Sequence, residues 1–299
     1  MKAFKVYMGL IALMIWALVP AMAQVAAVAE APAITQTDII SAADFVKLSK
    51  ANKDLVIVDA SKSKSYAAAH IKDAIFINHN DLYQSGDISG MIKSPDDLAA
   101  FFGGKGITEK SEIVIYDDGS QKYSTRLYWI LKYVGAENVK ILHKDMDQWR
   151  AQRIVLTPSA TPVKAVAFTP NPNPDIFADL NYVKERLENP ETVLIDSRTP
   201  EEYAGTDEKQ TSKGHIPGAI NMNYEMLLTD TGDFKSAEEL QKIAHEFGLT
   251  PDKELIFYCK TSVRGCVAFV AFRNILGFEN VKVYDGAYNE WVVANQVVQ

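Results

Sequence analysis

The residues able to do chemistry gather around one cysteine. Glu254-Leu-Ile-Phe-Tyr258 reads as a buried strand that runs straight into Cys259-Lys-Thr-Ser-Val-Arg264. Gly265-Cys266-Val-Ala-Phe-Val-Ala-Phe272 then continues as a helix. A cysteine at the carboxyl end of a buried strand, just before a helix, sits where α/β folds bind ligands. A short loop curling onto a helix start can aim several backbone N–H groups inward. Such a loop is an anion nest, reinforced by the positive end of the helix dipole. Lys260 and Arg264 add positive charge, and the same features favour a thiolate nucleophile.

The elements that position this loop occur twice. Val56-Ile-Val-Asp59 reappears as Val193-Leu-Ile-Asp196, and Tyr66 matches Tyr203. His70-Ile-Lys-Asp-Ala-Ile75 matches His215-Ile-Pro-Gly-Ala-Ile220. From Ser94 onward the two halves align at a constant offset of 142, from Ser94/Ser236 to Trp149/Trp291. The repeat has domain size, so the chain is an internal duplication. Leu55–Val58, Glu112–Tyr116 and Val139–Leu142, with counterparts Val193–Ile195, Glu254–Tyr258 and Val281–Tyr284, read as buried strands. Ser94 and Ser236 are N-cap candidates, Glu239 completes a capping box, and Gly135 and Gly277 stop helices. This alternation predicts α/β domains with mainly parallel sheets flanked by helices. The domains are 38–156 and 176–299, joined by a proline-rich linker over 157–175.

The chain has 299 residues and a formal net charge of −7. That balance disfavours nucleic acid as a partner, because phosphates need bulk neutralisation. Two cysteines, Cys259 and Cys266, exclude a disulfide framework and metal sites built from cysteine alone. His79, His143 and His245 show no metal-ligand spacing. Residues 1–23 combine a basic start, an apolar run and Ala21-Met-Ala23, the pattern of a cleaved secretory signal. Mature protein is then expected to start near Gln24, with an extension over 24–37, no stable membrane anchor and a periplasmic or secreted location. Loss of Lys2 and Lys5 leaves 29 basic against 38 acidic residues.

With these motifs together, the sequence resembles the tandem-domain rhodaneses, the thiosulfate and 3-mercaptopyruvate sulfurtransferases. The resemblance rests on Asp196-Ser-Arg198 with Glu201-Glu202-Tyr203, Gly214-His215-Ile-Pro-Gly218, and Tyr258-Cys259 with its loop. It implies two rhodanese-like domains, only the second of them catalytic. It also implies transfer of a sulfane sulfur from thiosulfate or a related donor to a thiophile through a Cys259 persulfide. The acceptor would be a thiol, cyanide or a protein, with no metal or organic cofactor. Arg264, Arg198, Lys260, Thr261, Ser262 and Val263 become substrate-binding candidates, and Asp196 and His215 structural supports. His70 persists in the copy without the cysteine, which favours a structural role for His215. At offset 142, Asp117 stands where Cys259 stands, and a carboxylate there cannot form a persulfide. The loop matches neither Cys-Arg-Lys-Gly-Val-Thr nor Cys-Gly-Ser-Gly-Val-Thr, because Ser262 replaces the glycine and Arg264 the threonine. Two cations favour a doubly charged donor, hence thiosulfate.

Two rival functions remain at this level. A related phosphatase would carry five residues between cysteine and arginine, where this loop has four. A persulfide carrier with little turnover would keep the same loop. Cys266 reads as a packed helix residue, with a redox partner as the alternative.

Overall fold

The computed structural model describes residues 38–208 and 213–299. The expected leader and the extension that follows it lie outside the described residues. The first half contains β1 (Ile39–Ile40), α1 (Ala42–Ala51), β2 (Val56–Asp59), α2 (Ser63–Ala68), β3 (His70–Ile71) and β4 (Ile75–Phe76). It continues through α3 (Pro95–Gly104), β5 (Glu112–Tyr116), α4 (Lys122–Tyr133), β6 (Asn138–Leu142), α5 (Met146–Ala151) and β7 (Leu156–Thr157). The second half contains β8 (Phe177–Ala178), α6 (Leu180–Lys184), β9 (Thr192–Asp196), α7 (Pro200–Ala204) and β10 (Ile220–Asn221). It closes with α8 (Ala237–Glu246), β11 (Glu254–Tyr258), α9 (Val263–Val270), β12 (Val281–Tyr284) and α10 (Ala287–Ala294).

Each half forms a five-stranded parallel sheet, ordered β1-β6-β5-β2-β4 and β10-β9-β11-β12-β8. The central strands β5 and β11 are buried except at their first residue, as continuous apolar runs between two helical layers must be. Both occupy the spans predicted from their sequence. Ser94 and Ser236 cap α3 and α8, and Glu239 closes the box with Ser236. Gly135 and Gly277 take φ values of 98° and 72°, the left-handed turn that ends a helix.

The segment after β7 is held along the first domain rather than hanging between the halves. Val166 N–H donates to Gly103 O at 2.9 Å, and Asn171 N–H to Val134 O at 2.9 Å. A Cβ on Gly103 would lie 2.5 Å from Val166 O, so the strap sits directly on α3.

The halves also interlock. Arg126 of α4 is buried and pairs with Asp285, just after β12, at 2.7 Å. It also donates to Gly90 O at 2.9 Å, while Ile92 N–H donates to the other Asp285 oxygen at 2.9 Å. Tyr128 donates to Asp38 at 2.5 Å, and Asn274 of the second half donates to both.

Candidate active site

Cys259 follows the last residue of β11, and α9 begins four residues later. Its side chain is buried, and Arg264 N–H donates to Sγ at 3.3 Å. The carbonyls of Cys259 and Lys260 accept from Tyr288 and Asn289 N–H of α10, at 3.0 and 3.2 Å. Those bonds draw the loop carbonyls toward α10 and leave its N–H groups and the α9 dipole for the thiol side. Ser262 enters the helix at φ 56°, where a glycine would be unstrained. Its hydroxyl donates to Tyr284 O, which holds the serine in that conformation. Ser262 thereby braces the loop through its hydroxyl.

The first domain displays what such a loop can hold. Asp117 stands at the Cys259 position, buried, and its carboxylate accepts four backbone N–H groups. These come from Gly119 at 2.8 Å, Gln121 at 3.2 Å, Tyr123 at 3.0 Å and Ser124 at 3.2 Å. Ser120 and Ser124 hydroxyls add bonds at 3.3 Å. Burial outweighs the pull of these donors and holds the Asp117 carboxyl above its usual range. The nest of the first domain is filled by its own side chain. Asp117→Ala is expected to leave turnover within about twofold of wild type but to cost about 1–3 kcal/mol of stability, because several buried donors lose their acceptor. Denaturant unfolding and steady-state rates read both, and a large rate loss with intact stability would contradict it.

The offset of 142 does not persist through these helices. Thr125 N–H bonds Gln121 O in α4, and its counterpart is Cys266 N–H to Ser262 O, an offset of 141. The Cys259 loop is therefore one residue shorter than its duplicate. A π-helical turn at Ala271–Ile275 restores the register by Gly277. In that alignment the Tyr123 N–H bound by Asp117 corresponds to the Arg264 N–H bound by Cys259.

Arg264 and Arg198 are both committed to carboxylates. Glu202 closes a capping box with Thr199 at the start of α7 and grips the Arg264 guanidinium at 2.5 and 2.9 Å. Arg198 is buried, bonds Asp196 at 2.6 to 3.0 Å and Gly214 O at 2.9 Å, and lies 4.0 Å over the Tyr288 ring. Its guanidinium braces the Asp196 turn with these bonds. Glu202 was visible in the sequence only as part of a motif. Its bond to Arg264, 62 residues away, has no local signature.

Burial alone would raise the Glu202 carboxyl, but its hydrogen bond to Arg264 and that charge outweigh it, so the pKa lies below the usual value. The pair's contribution to stability is therefore complete above the unfolded carboxylate pKa of about 4.3 and is lost as pH falls through the folded value. Glu202→Gln should flatten this acid limb of the Tm curve. It should also lower KM for a doubly charged donor by about a few-fold, since Arg264 is no longer neutralised. A raised KM would show that Arg264 needs the carboxylate to be placed.

Lys260, Thr261 and Val263 are half-buried on the loop. Thr261 packs against Gly90 of the first domain, where a Cβ would lie 2.6 Å from the threonine Cβ. Gly232 meets Gly119 in the duplicate arrangement. Each domain thus walls the other's loop through a glycine at φ 98° or 80°. His215 stacks on Tyr203 at 3.5 Å and bonds its carbonyl at 3.0 Å. His70 does the same to Tyr66, at 3.7 and 2.7 Å. Cys266 is buried beside Arg126, and burial pushes its thiol up to about 12. No cluster of metal-ligating side chains occurs among the described residues.

Comparison with known proteins follows the same outline. The Rhodanese-like domain family matches residues 41–152 and 179–294. A thiosulfate sulfurtransferase of Pseudomonas aeruginosa is 29% identical over 244 residues, 80% of this chain and 88% of that relative. A sulfur carrier protein of Thermus thermophilus is 29% identical over 212 residues, 66% of this chain and 74% of the carrier. The crystal structure of a 3-mercaptopyruvate sulfotransferase from Escherichia coli superposes with a TM-score of 0.75 at 26% identity, covering 85% of this chain and 99% of that one.

Proposed function

We propose that this chain, which belongs to the rhodanese family, is a sulfurtransferase that passes a sulfane sulfur from thiosulfate to a thiophile through a Cys259 persulfide. The Cys259 thiolate attacks the outer sulfur of the donor, the donor's S–S bond breaks, and sulfite leaves with the bonding pair. The persulfide rests in the N–H nest until cyanide, a thiol or a protein thiolate attacks its outer sulfur and regenerates Cys259. Fixed N–H dipoles suit anions at each stage without reorganisation.

The observation that carries this reading is the occupied nest of the first domain. The same strand-loop-helix design there already holds a carboxyl side chain on four N–H groups. In the second domain a buried thiol stands at the position of that carboxyl. The Glu202–Arg264 pair offsets one of the two charges that favoured a dianion, so the preference for thiosulfate rests on the nest. The first domain serves as a scaffold that walls the loop. Likeness to a sulfur carrier keeps open a second reading, in which loading is fast and turnover slow.

A donor panel tests the proposal. Sulfite release from thiosulfate should exceed pyruvate release from 3-mercaptopyruvate at equal concentrations, with catalytic thiocyanate formation. The reverse order would reassign the donor, and a single turnover of stable persulfide would make the protein a carrier. The compartment belongs to the same proposal: exported protein should begin near Gln24, and an exported chain beginning at Met1 would contradict it.

A further inference from the structure

A groove of about 520 Å³ opens in the first domain between α1, β2 and the chain after α5. This size suits a small ligand. Its floor is apolar: Phe45, Ile57 and Ile71 are buried, and Leu55 and Ile154 half-buried. Its rim carries Lys50, Lys53, Lys72 and Arg153, all exposed, against a single acid, Asp73. None of the four cations has an ion-pair partner among the described residues. In a chain of net charge −7, that concentration of unpaired positive charge is local and specific.

The internal duplication supplies a control. Leu55 and Ile57 correspond to Thr192 and Leu194, and Asp73 to Gly218, which line the equivalent place in the second domain. The Asx turns at Asn52 and Asn189 then set Ser49 opposite Arg186 and Lys50 opposite Leu187. There the space shrinks to about 20 Å³. Arg186 fills it, stacked 3.4 Å over the Tyr182 ring and paired with Glu254 at 3.1 Å. In the first domain Ser49 is too short to do so, and Glu112, the counterpart of Glu254, accepts from Asn52 at 3.0 Å instead. Lys50 replaces an apolar leucine and Lys72 replaces Pro217. The copy without the cysteine thus has the open groove and the charged rim.

We propose that this groove binds a small amphiphilic anion: an apolar chain or ring ending in a carboxylate, sulfonate or phosphate. The apolar body lies on the Phe45–Ile57–Ile71 floor, and the anionic head reaches Lys50, Lys72 or Arg153 at the rim. A neutral analogue of the same shape gains the floor without the rim.

The test is isothermal titration of the full chain with decanoate below its micelle concentration, with decanol as neutral control. One saturable site is expected. Combined Lys50→Glu and Lys72→Glu, and separately Ser49→Trp, should each weaken it by at least about tenfold, with sulfur transfer unchanged. The charge reversals lie on the surface and read the site even if the tryptophan variant fails to fold. Absence of saturable binding, equal affinity for decanol, or undiminished affinity in the charge-reversed protein would overturn the proposal.

Discussion

Replacing Cys259 by serine is expected to lower sulfur transfer from thiosulfate to cyanide by at least about a thousandfold. A serine hydroxyl is not ionised at neutral pH, and the intermediate requires a sulfur to accept sulfur. The substitution is nearly isosteric at a buried position, and the new oxygen can still accept the Arg264 N–H, so Tm should move by no more than about 2 °C. Cys266→Ser is the matched control. That thiol is buried against Arg126 and held up to about 12, so it has little thiolate to offer, and most activity should survive its loss. Activity of Cys259→Ser above about a tenth of wild type would place the reactive sulfur elsewhere.

The largest structural effect is expected at the junction of the two domains. Asp285→Ala leaves Arg126 buried without its carboxylate and Ile92 N–H without an acceptor, and should cost about 3–5 kcal/mol. For a chain of this size that is a fall of about 10 °C in Tm. Because Arg126 also holds Gly90, and Gly90 backs Thr261, turnover should fall with it. Arg126→Met should cost a similar amount, since it strands Asp285. The double variant Arg126→Met, Asp285→Leu should lose less than the sum of the single variants, because breaking a buried pair costs more than replacing both partners. Additive losses, or a loss under about 1 kcal/mol for Asp285→Ala, would show that the pair is not what joins the halves.

Local signals in the sequence reached far into this fold. The apolar runs at Glu112–Tyr116, Glu254–Tyr258 and Val281–Tyr284 coincide with strands because a parallel strand buried on both faces leaves little room for another pattern. The caps at Ser94 and Ser236 follow from hydrogen bonds three residues long. Compensating changes and long-range pairs stayed hidden. A residue fewer in the Cys259 loop and a π-turn at Ala271–Ile275 cancel, so the flanking motifs align as if nothing had changed.

The site was legible as a cysteine in an anion nest, and less so as a set of cations. Arg264 looked available to substrate because its partner, Glu202, lies 62 residues away and meets it only in the tertiary fold, whereas Arg198 pairs with Asp196 of its own motif, two residues before it. Ser262 read as a lining residue, yet the strand after it in sequence, ending at Tyr284, claims its hydroxyl. The groove on the first domain gave no motif at all, because it arises from a side chain that is missing: Ser49 where the duplicate has Arg186.

The proposed reaction holds the transferred sulfur on Cys259 between its two halves. Intact-protein mass spectrometry after brief exposure to thiosulfate, followed by peptide mapping without reductant, tests it most directly. A gain of about 32 Da, the mass of one sulfur, is expected on the peptide containing Cys259. The gain should be removed by cyanide and absent from Cys259→Ser. An unmodified Cys259 in protein that still produces sulfite, or the added sulfur on Cys266, would contradict it.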